Sequence, residues 1–227
     1  MIFVVSQSTN RPSRLQVIDL GRIAYAKAFD VQRQWHAQVL ADEAPPTLLL
    51  LEHDPVITIS RRDAAASHLI AGADTLAAMG VEVQPTDRGG DITYHGPGQI
   101  VVYPILPLQL FERNIRQYIR DLEKVIITTL GQYAIDSHRD AEAVGVWVDP
   151  VDGPSAKIAA IGVRVRRWVT MHGLALNVTT NLDHFDLIVP CGLHRPVTSM
   201  QQQLGDQCPP MQAVKDTMVA AFKEIFF

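Results

Sequence analysis

The chain has 227 residues, 47% of them hydrophobic and 19% charged, the balance of an ordinary globular protein and far from that of disordered or collagen-like chains. A net charge of -4 argues against a general nucleic-acid binder, although 15 of the 20 basic residues are arginines, several of them clustered. Two cysteines are too few for a disulfide framework, so both thiols are expected to stay reduced, as in a cytoplasmic protein.

The first residues turn polar by Ser6 and lack the apolar core of a signal peptide. The longest apolar stretch, residues 100–108, is interrupted by Pro104 and Pro107 and is too short to span a bilayer. No membrane association is expected. A single domain over residues 1–227 is the default, because two would each be small.

Residues 14–20 read as a strand, and residues 23–42 as a helix with Ala26, Phe29, Val31, Trp35, Val39 and Leu40 at roughly helical spacing, stopped by Pro45 and Pro46. Two short β-rich runs follow, 47–51 and 55–60, then a short helix over 73–79 closed by Gly80. Strands at 81–84 and 100–103 flank a glycine-rich segment, 88–99, read as a loop. Asn114 can cap a long helix to about residue 133, with Ile115, Ile119, Leu122, Val125, Ile126 and Leu130 on one face. Strands at 144–148, 158–165 and 168–178 are rich in β-branched residues, and the last two read as a hairpin turning near Arg166 and Arg167. A loop over 179–209 leads to a C-terminal helix introduced by Pro210.

The chemistry concentrates in three segments. Cys191 stands between Pro190 and Gly192, a turn that can present a thiol to a cleft; the same residue also fits as a small buried hydrophobe. Cys208, before Pro209 and Pro210, reads as structural. A thiol with an ordinary pKa of about 8.5 is only a few per cent ionised near neutrality and needs a cation or base beside it. Of the lysines, Lys27, Lys124, Lys215 and Lys223 fall on helices with solvated faces, whereas Lys157 opens an apolar strand; it is either an activator or a side chain snorkelling to solvent. The loop RGGDITYHGPGQ (88–99) can line a cleft with backbone N–H groups but lacks the Gly-Lys-Ser/Thr ending of a nucleotide-binding loop. Its Thr93, Tyr94 and His95, and likewise His172, can contact a substrate or be satisfied turn residues. His53, His68, His138 and His184 read as surface or turn residues, and no second close Cys or His pair accompanies Cys191 and His194 to make a zinc site.

RGGDITYHGPGQIVVYP (88–104), KIAAIGVRVRRWVTMHGLALNV (157–178) and FDLIVPCGL (185–193) followed by VTSM, with the weaker LLLLEHDPVITISRR (48–62), resemble the lipoyl(octanoyl) transferase family, which moves octanoate from acyl carrier protein to proteins. The resemblance implies an α+β fold, with a mixed, largely antiparallel sheet flanked by helices, similar to the biotin/lipoate protein ligase catalytic domain. It implies that Cys191 is the acyl-carrying nucleophile and that Lys157 lowers its pKa. Substrate contacts carry over to Arg88, Gly89, Gly90, Asp91, Ile92, Thr93, Tyr94 and His95, to Ala160, Ile161 and Gly162, and to Gly173, Leu174 and Ala175, with His172 in a supporting place. The implied partners are octanoyl-acyl carrier protein, whose phosphopantetheine arm bears the acyl group, and the lipoyl domains of 2-oxo acid dehydrogenase complexes and the glycine cleavage H protein. Neither ATP nor a metal is implied. Backbone N–H groups at Gly192 or along 160–162 are candidates for the oxyanion site, and Arg61, Arg62, Arg164, Arg166 and Arg167 for docking an acidic carrier. Ser60 and Gln203 depart from the family pattern, which favours glycine and an acidic residue there.

Overall fold

The run TLLLLEH, Thr47–His53, is buried along almost its entire length, as it must be for a strand covered on both faces. It pairs in parallel with β1 (Gln16–Ile23), so that it is β2, and in antiparallel register with β6 (Gln99–Ile105), Leu50 opposite Val102. The fold is a computed structural model that describes residues 14–62, 64–111, 114–150, 153–189 and 195–227. Beyond β6 the sheet continues through β10 (Val169–Asn177), β9 (Ala156–Arg166), β8 (Val146–Val148) and β7 (His138–Arg139), all antiparallel. The seven-stranded order is β1-β2-β6-β10-β9-β8-β7.

Alternate residues of the central strands feed two cores. Leu48, Leu50, Ile100, Val102, Leu174 and Leu176 pack under α3 (Ile115–Gly131) and α5 (Met211–Phe226). Leu49, Leu51, Val101, Tyr103 and Ala175 pack under α1 (Tyr25–Leu40). A three-stranded sheet, β4 (Glu82–Pro85), β3 (Val56–Ile59) and β5 (Ile92–His95), lies beside the large one. It has its own core with α2 (Ala73–Ala78) and the 3-10 turns Leu182–Leu187. The α+β class and the mixed, largely antiparallel sheet are as expected.

Several boundaries differ, each for a physical reason. The expected loop 88–99 contains β5, because Ile92 and Tyr94 are buried against β3; glycines on both sides hide a strand whose pairing is long-range. The 179–209 loop likewise holds α4 (Met200–Leu204), capped by the Ser199 hydroxyl, which accepts from the Gln202 N–H. On α1 the buried stripe is Tyr25, Ala28, Gln32, His36 and Val39, while Ala26 is exposed. Two polar residues sit in that stripe because each finds a partner: Gln32 Oε1 accepts from the His172 N–H at 2.8 Å, and His36 Nε2 lies 3.2 Å from the Arg166 carbonyl. Lys215 is not solvated; it is 7% exposed on α5 and its Nζ meets Asp19 Oδ2 at 2.9 Å. The Asn114 cap of α3 forms as expected, its Oδ1 accepting from the Gln117 N–H at 3.1 Å.

Candidate active site

β9 and β10 run side by side with Gly162 opposite Gly173 and Ala160 opposite Ala175. Small residues are needed there. A Cβ on Gly173 would come 2.2 Å from the Val102 carbonyl oxygen, and one on Gly162 2.7 Å from that of Gly89. The second contact exists because the 88–90 turn docks on β9, the Gly89 N–H donating to the Val163 carbonyl at 2.9 Å. Arg88 is folded back over the same turn, its Nη2 donating to the carbonyl and the hydroxyl of Thr58 at 3.1 and 2.9 Å. Gly90 has φ +95, a conformation that glycine adopts without penalty.

These close approaches leave a cavity of about 660 Å³, within the range of small-molecule sites. Its walls include Arg88, Gly89, Gly90, Asp91, Ile92, Thr93 and His95, then Lys157, Ala160, Ile161 and Gly162, and His172, Gly173, Leu174 and Ala175. The 88–95 segment and the β9–β10 hairpin, far apart in sequence, therefore meet on one cavity. Tyr94 is different: it is 1% exposed and its ring packs on His184 and Phe185 behind the wall, where burial pushes its hydroxyl pKa up to about 12. Ile115 and Ile119 of α3, with Val144, complete the apolar lining beside Lys157.

Lys157 is half-buried. Its ammonium donates to the Val144 carbonyl at 3.2 Å and lies 4.7 Å from the centroid of the Trp147 ring. Its backbone is joined to the chain a few residues after Cys191: the Lys157 N–H donates to the Pro196 carbonyl and the Thr198 N–H to the Lys157 carbonyl, both at 2.9 Å. Cys191 itself, with residues 190–194, lies outside the described residues, and so does Gly192, the expected oxyanion donor. The described chain approaches it from the other side through Val189, whose N–H donates to the His68 carbonyl at 2.8 Å. Cys208 is half-buried at the edge of the larger core, where burial pushes its thiol pKa up.

Three histidines gather at the polar side of the cavity: His95 and His172 line it, and His53 stands behind them, its ring centroid 5.6 Å from that of His95. His53, expected on the surface, is fully buried: Nδ1–H donates to the Ile23 carbonyl at 3.0 Å and Nε2 accepts from the Tyr103 hydroxyl at 2.7 Å. Burial lowers its pKa to about 4. Its position at the end of a buried strand is what sequence reading overlooked. His95 donates from Nδ1 to Gln99 Oε1 at 2.7 Å; Gln99 Nε2 donates to Asn177 Oδ1 at 2.9 Å, and Asn177 Nδ2 to the Thr198 carbonyl at 3.0 Å. Burial holds His95 down at about 3, so its ring is neutral at physiological pH. This relay joins β5, β6 and β10 to Thr198, the residue whose N–H bonds to the Lys157 carbonyl.

His172 belongs to the same cluster, its ring centroid 6.0 Å from that of Tyr103. Its register partner, Val163, is six residues past Lys157 on β9, about 20 Å at the strand rise. There Nε2–H donates to Asp87 Oδ1 at 2.8 Å, and Arg164 closes on the other carboxylate oxygen. The His172 hydrogen bond holds the Asp87 carboxyl below the usual range, and burial lowers the His172 pKa. His172 also has φ +55 while buried, an uncommon conformation for a residue with a side chain. The structure thus puts Lys157 and His172 on one cavity but at opposite ends of it. Asp87 was missed, although it directly precedes the Arg-Gly-Gly motif.

Ser60, in place of a glycine, is accommodated with no positive φ, and its N–H donates to the Asp91 carbonyl at 3.1 Å. Gln203 donates from Nε2 to the Thr198 hydroxyl at 2.8 Å. Among the described residues, no three His, Cys, Asp or Glu side chains come together as metal ligands, and no helix is long and apolar enough to cross a membrane.

Residues 24–223 match the family model of the lipoyl protein ligase A/B catalytic domain. The chain is 52% identical over 181 residues to an octanoyltransferase of Solibacter usitatus, covering 80% of each chain, and 44% identical over 207 residues to that of Rubrobacter xylanophilus, covering 90% of each. In three dimensions it is similar to the bipartite lipoate protein ligase of Thermoplasma acidophilum, with a TM-score of 0.70 at 15% identity over 92% of this chain and 82% of that one. Biotin protein ligase of Aquifex aeolicus aligns less closely, at a TM-score of 0.51 and 10% identity over 94% and 69%. The chain belongs to the lipoyl protein ligase A/B catalytic-domain family, and within it to the octanoyltransferases, which are acyltransferases of protein lipoylation.

Proposed function

We propose that the chain takes the octanoyl group of octanoyl-acyl carrier protein onto Cys191 as a thioester and passes it to the lysine side chain of lipoyl domains in 2-oxo acid dehydrogenase complexes and the glycine cleavage H protein, in the cytoplasm. The observation that carries this is the convergence of Lys157 with the 88–93, 160–162 and 173–175 segments on one largely apolar cavity. The strand of Lys157 is hydrogen-bonded to the segment that follows Cys191. An ammonium near the thiol favours the thiolate.

The thiolate attacks the thioester carbonyl of the carrier's phosphopantetheine arm. The tetrahedral intermediate collapses with loss of the arm's sulfur, which takes the proton of the Lys157 ammonium and leaves Lys157 as a neutral amine. Exchange of one thioester for another is close to balanced. The acceptor lysine then attacks as a free amine, loses a proton to Lys157 or to a histidine, and the Cys191 thiolate leaves as the amide forms. An amide is more stable than a thioester, so transfer proceeds without ATP or a metal. Burying an eight-carbon chain contributes about 0.8 kcal/mol per CH₂, which suits the apolar walls at Ile115, Ile119, Ile161 and Leu174.

An acidic carrier would meet exposed arginines: Arg61, Arg62, Arg166 and Arg167 are exposed, whereas Arg164 is engaged by Asp87. Intact mass spectrometry after mixing with octanoyl-acyl carrier protein should show one octanoyl adduct, located on Cys191 and lost when a lipoyl domain is added. Activity that survives Cys191→Ala, or that requires ATP, would instead point to ligase chemistry on the same fold.

A further inference from the structure

The indole of Trp147, 1% exposed, carries two cations at once: Arg195 Cζ lies 3.7 Å and Lys157 Nζ 4.7 Å from its ring centroid. Trp147 and Lys157 are register partners across β8 and β9. The turn before β8 holds both members of this pair, since Trp147 Nε1 donates to the Ala143 carbonyl and Lys157 Nζ to the Val144 carbonyl, each at 3.2 Å. Arg195 arrives from a different part of the chain, four residues after Cys191. Asp140 Oδ2 pairs with its Nη2 at 2.7 Å and offsets the second positive charge beside the ring. From Pro196 to Thr198 the same segment is laid along Lys157 by two backbone hydrogen bonds.

We propose that Trp147 and Arg195 are positioning residues for the transfer reaction: the indole fixes the Lys157 ammonium and, by gripping Arg195, pins the segment that delivers Cys191 to it. This rests on the reading of Cys191 as the nucleophile activated by Lys157. A lysine ammonium rides on a flexible four-carbon stem, and its attraction for a thiolate falls as the separation grows. An activator that must hold a thiolate therefore needs its own anchor. A buried indole face is one of the few neutral groups that can supply it, because cation–π attraction strengthens where water is excluded. One ring touches both the ammonium and Arg195, the fourth residue after Cys191.

The test is the pH dependence of Cys191 alkylation by iodoacetamide on the full chain, read by peptide mass spectrometry, with Cys208 as the internal reference thiol. Trp147→Leu and Arg195→Ala should each raise the alkylation midpoint of Cys191 by about one pH unit, and Trp147→Phe, which keeps an aromatic face, should raise it less. Should Trp147→Leu fail to fold, Arg195→Ala decides alone, since that side chain is 26% exposed. An unchanged midpoint in folded Arg195→Ala overturns the proposal. Lys157→Met separates the layers. If it moves the midpoint while the Trp147 and Arg195 variants do not, only the positioning roles fall; if it too leaves the midpoint in place, activation by Lys157 falls with them.

Discussion

Gly162 lies so close beneath Gly89 that a Cβ on it would stand 2.7 Å from the Gly89 carbonyl oxygen. The contact is between two backbones, so neither side can swing away. Gly162→Ala is expected to cost about 1–3 kcal/mol by overpacking and to lift the 88–90 turn off β9, with a clear loss of octanoyl transfer. Gly131→Ala is the control: nothing lies within 4 Å of its added methyl, and within α3 it should gain up to about 1 kcal/mol. Chemical denaturation of both variants, beside a transfer assay, checks the pair of signs.

Acid should destabilise the protein well above the carboxylate range. His53 and His95 are held neutral in the fold, at about 4 and about 3, by burial, whereas in the unfolded chain they titrate near 6.5. Between roughly pH 6.5 and pH 4 the unfolded state therefore binds protons that the native state does not, and stability falls as pH falls. The slope approaches about 1.4 kcal/mol per pH unit for each histidine. His36 and His172, also lowered by burial, act in the same direction. Urea midpoints measured from neutrality down to about pH 4.5 should drop steadily; a flat profile would mean these rings are protonated in the fold.

The Gln99 amide is committed at both ends, to His95 through Oε1 and to Asn177 through Nε2. Gln99→Leu keeps the approximate size but strands a buried N–H and a buried carbonyl oxygen, each costing about 1–3 kcal/mol when unpaired. Stability should fall by at least about 2 kcal/mol. Gln99→Glu, which can still accept from His95 but cannot donate to Asn177, should show a cost of its own and a raised His95 pKa, visible in the ring's NMR titration.

Much of this architecture is legible from local pattern. The apolar run 48–51 announces a strand covered on both faces, the Asn114 cap announces α3, and the odd lysine at the start of β9 does reach the cavity. What local pattern hides is pairing at a distance. β5 is short and bounded by glycines, and only its ladder with β3 makes it a strand. Gln32 and His36 look solvent-facing until their partners on β10 and at the hairpin end are in place. His53 looks like a turn residue because its two partners, Ile23 and Tyr103, lie 30 and 50 positions away. Trp147 and Arg195 likewise signal nothing until β8 and the 195–198 segment are brought together.

The β9–β10 hairpin turns through Arg167 and Trp168, with φ +50 and +65, the two left-handed positions of a type I′ turn that Asn and Gly fill best. A side chain that cannot bond locally costs about 1–2 kcal/mol in that conformation. Arg167 is exposed, so Arg167→Asn should recover up to about 1 kcal/mol and raise Tm by about 2–4 °C in a chain of this size. Trp168 is a different matter: its backbone carbonyl, which accepts from the Leu108 N–H at 2.7 Å, survives any substitution, but its side chain does not. Replacing it by glycine relieves strain but removes the side chain's contacts. If Arg167 also serves a carrier protein, Arg167→Asn will raise Tm while raising the KM for octanoyl-acyl carrier protein and leaving kcat unchanged. A higher Tm with an unchanged KM would leave turn strain as the only consequence of having arginine at that position.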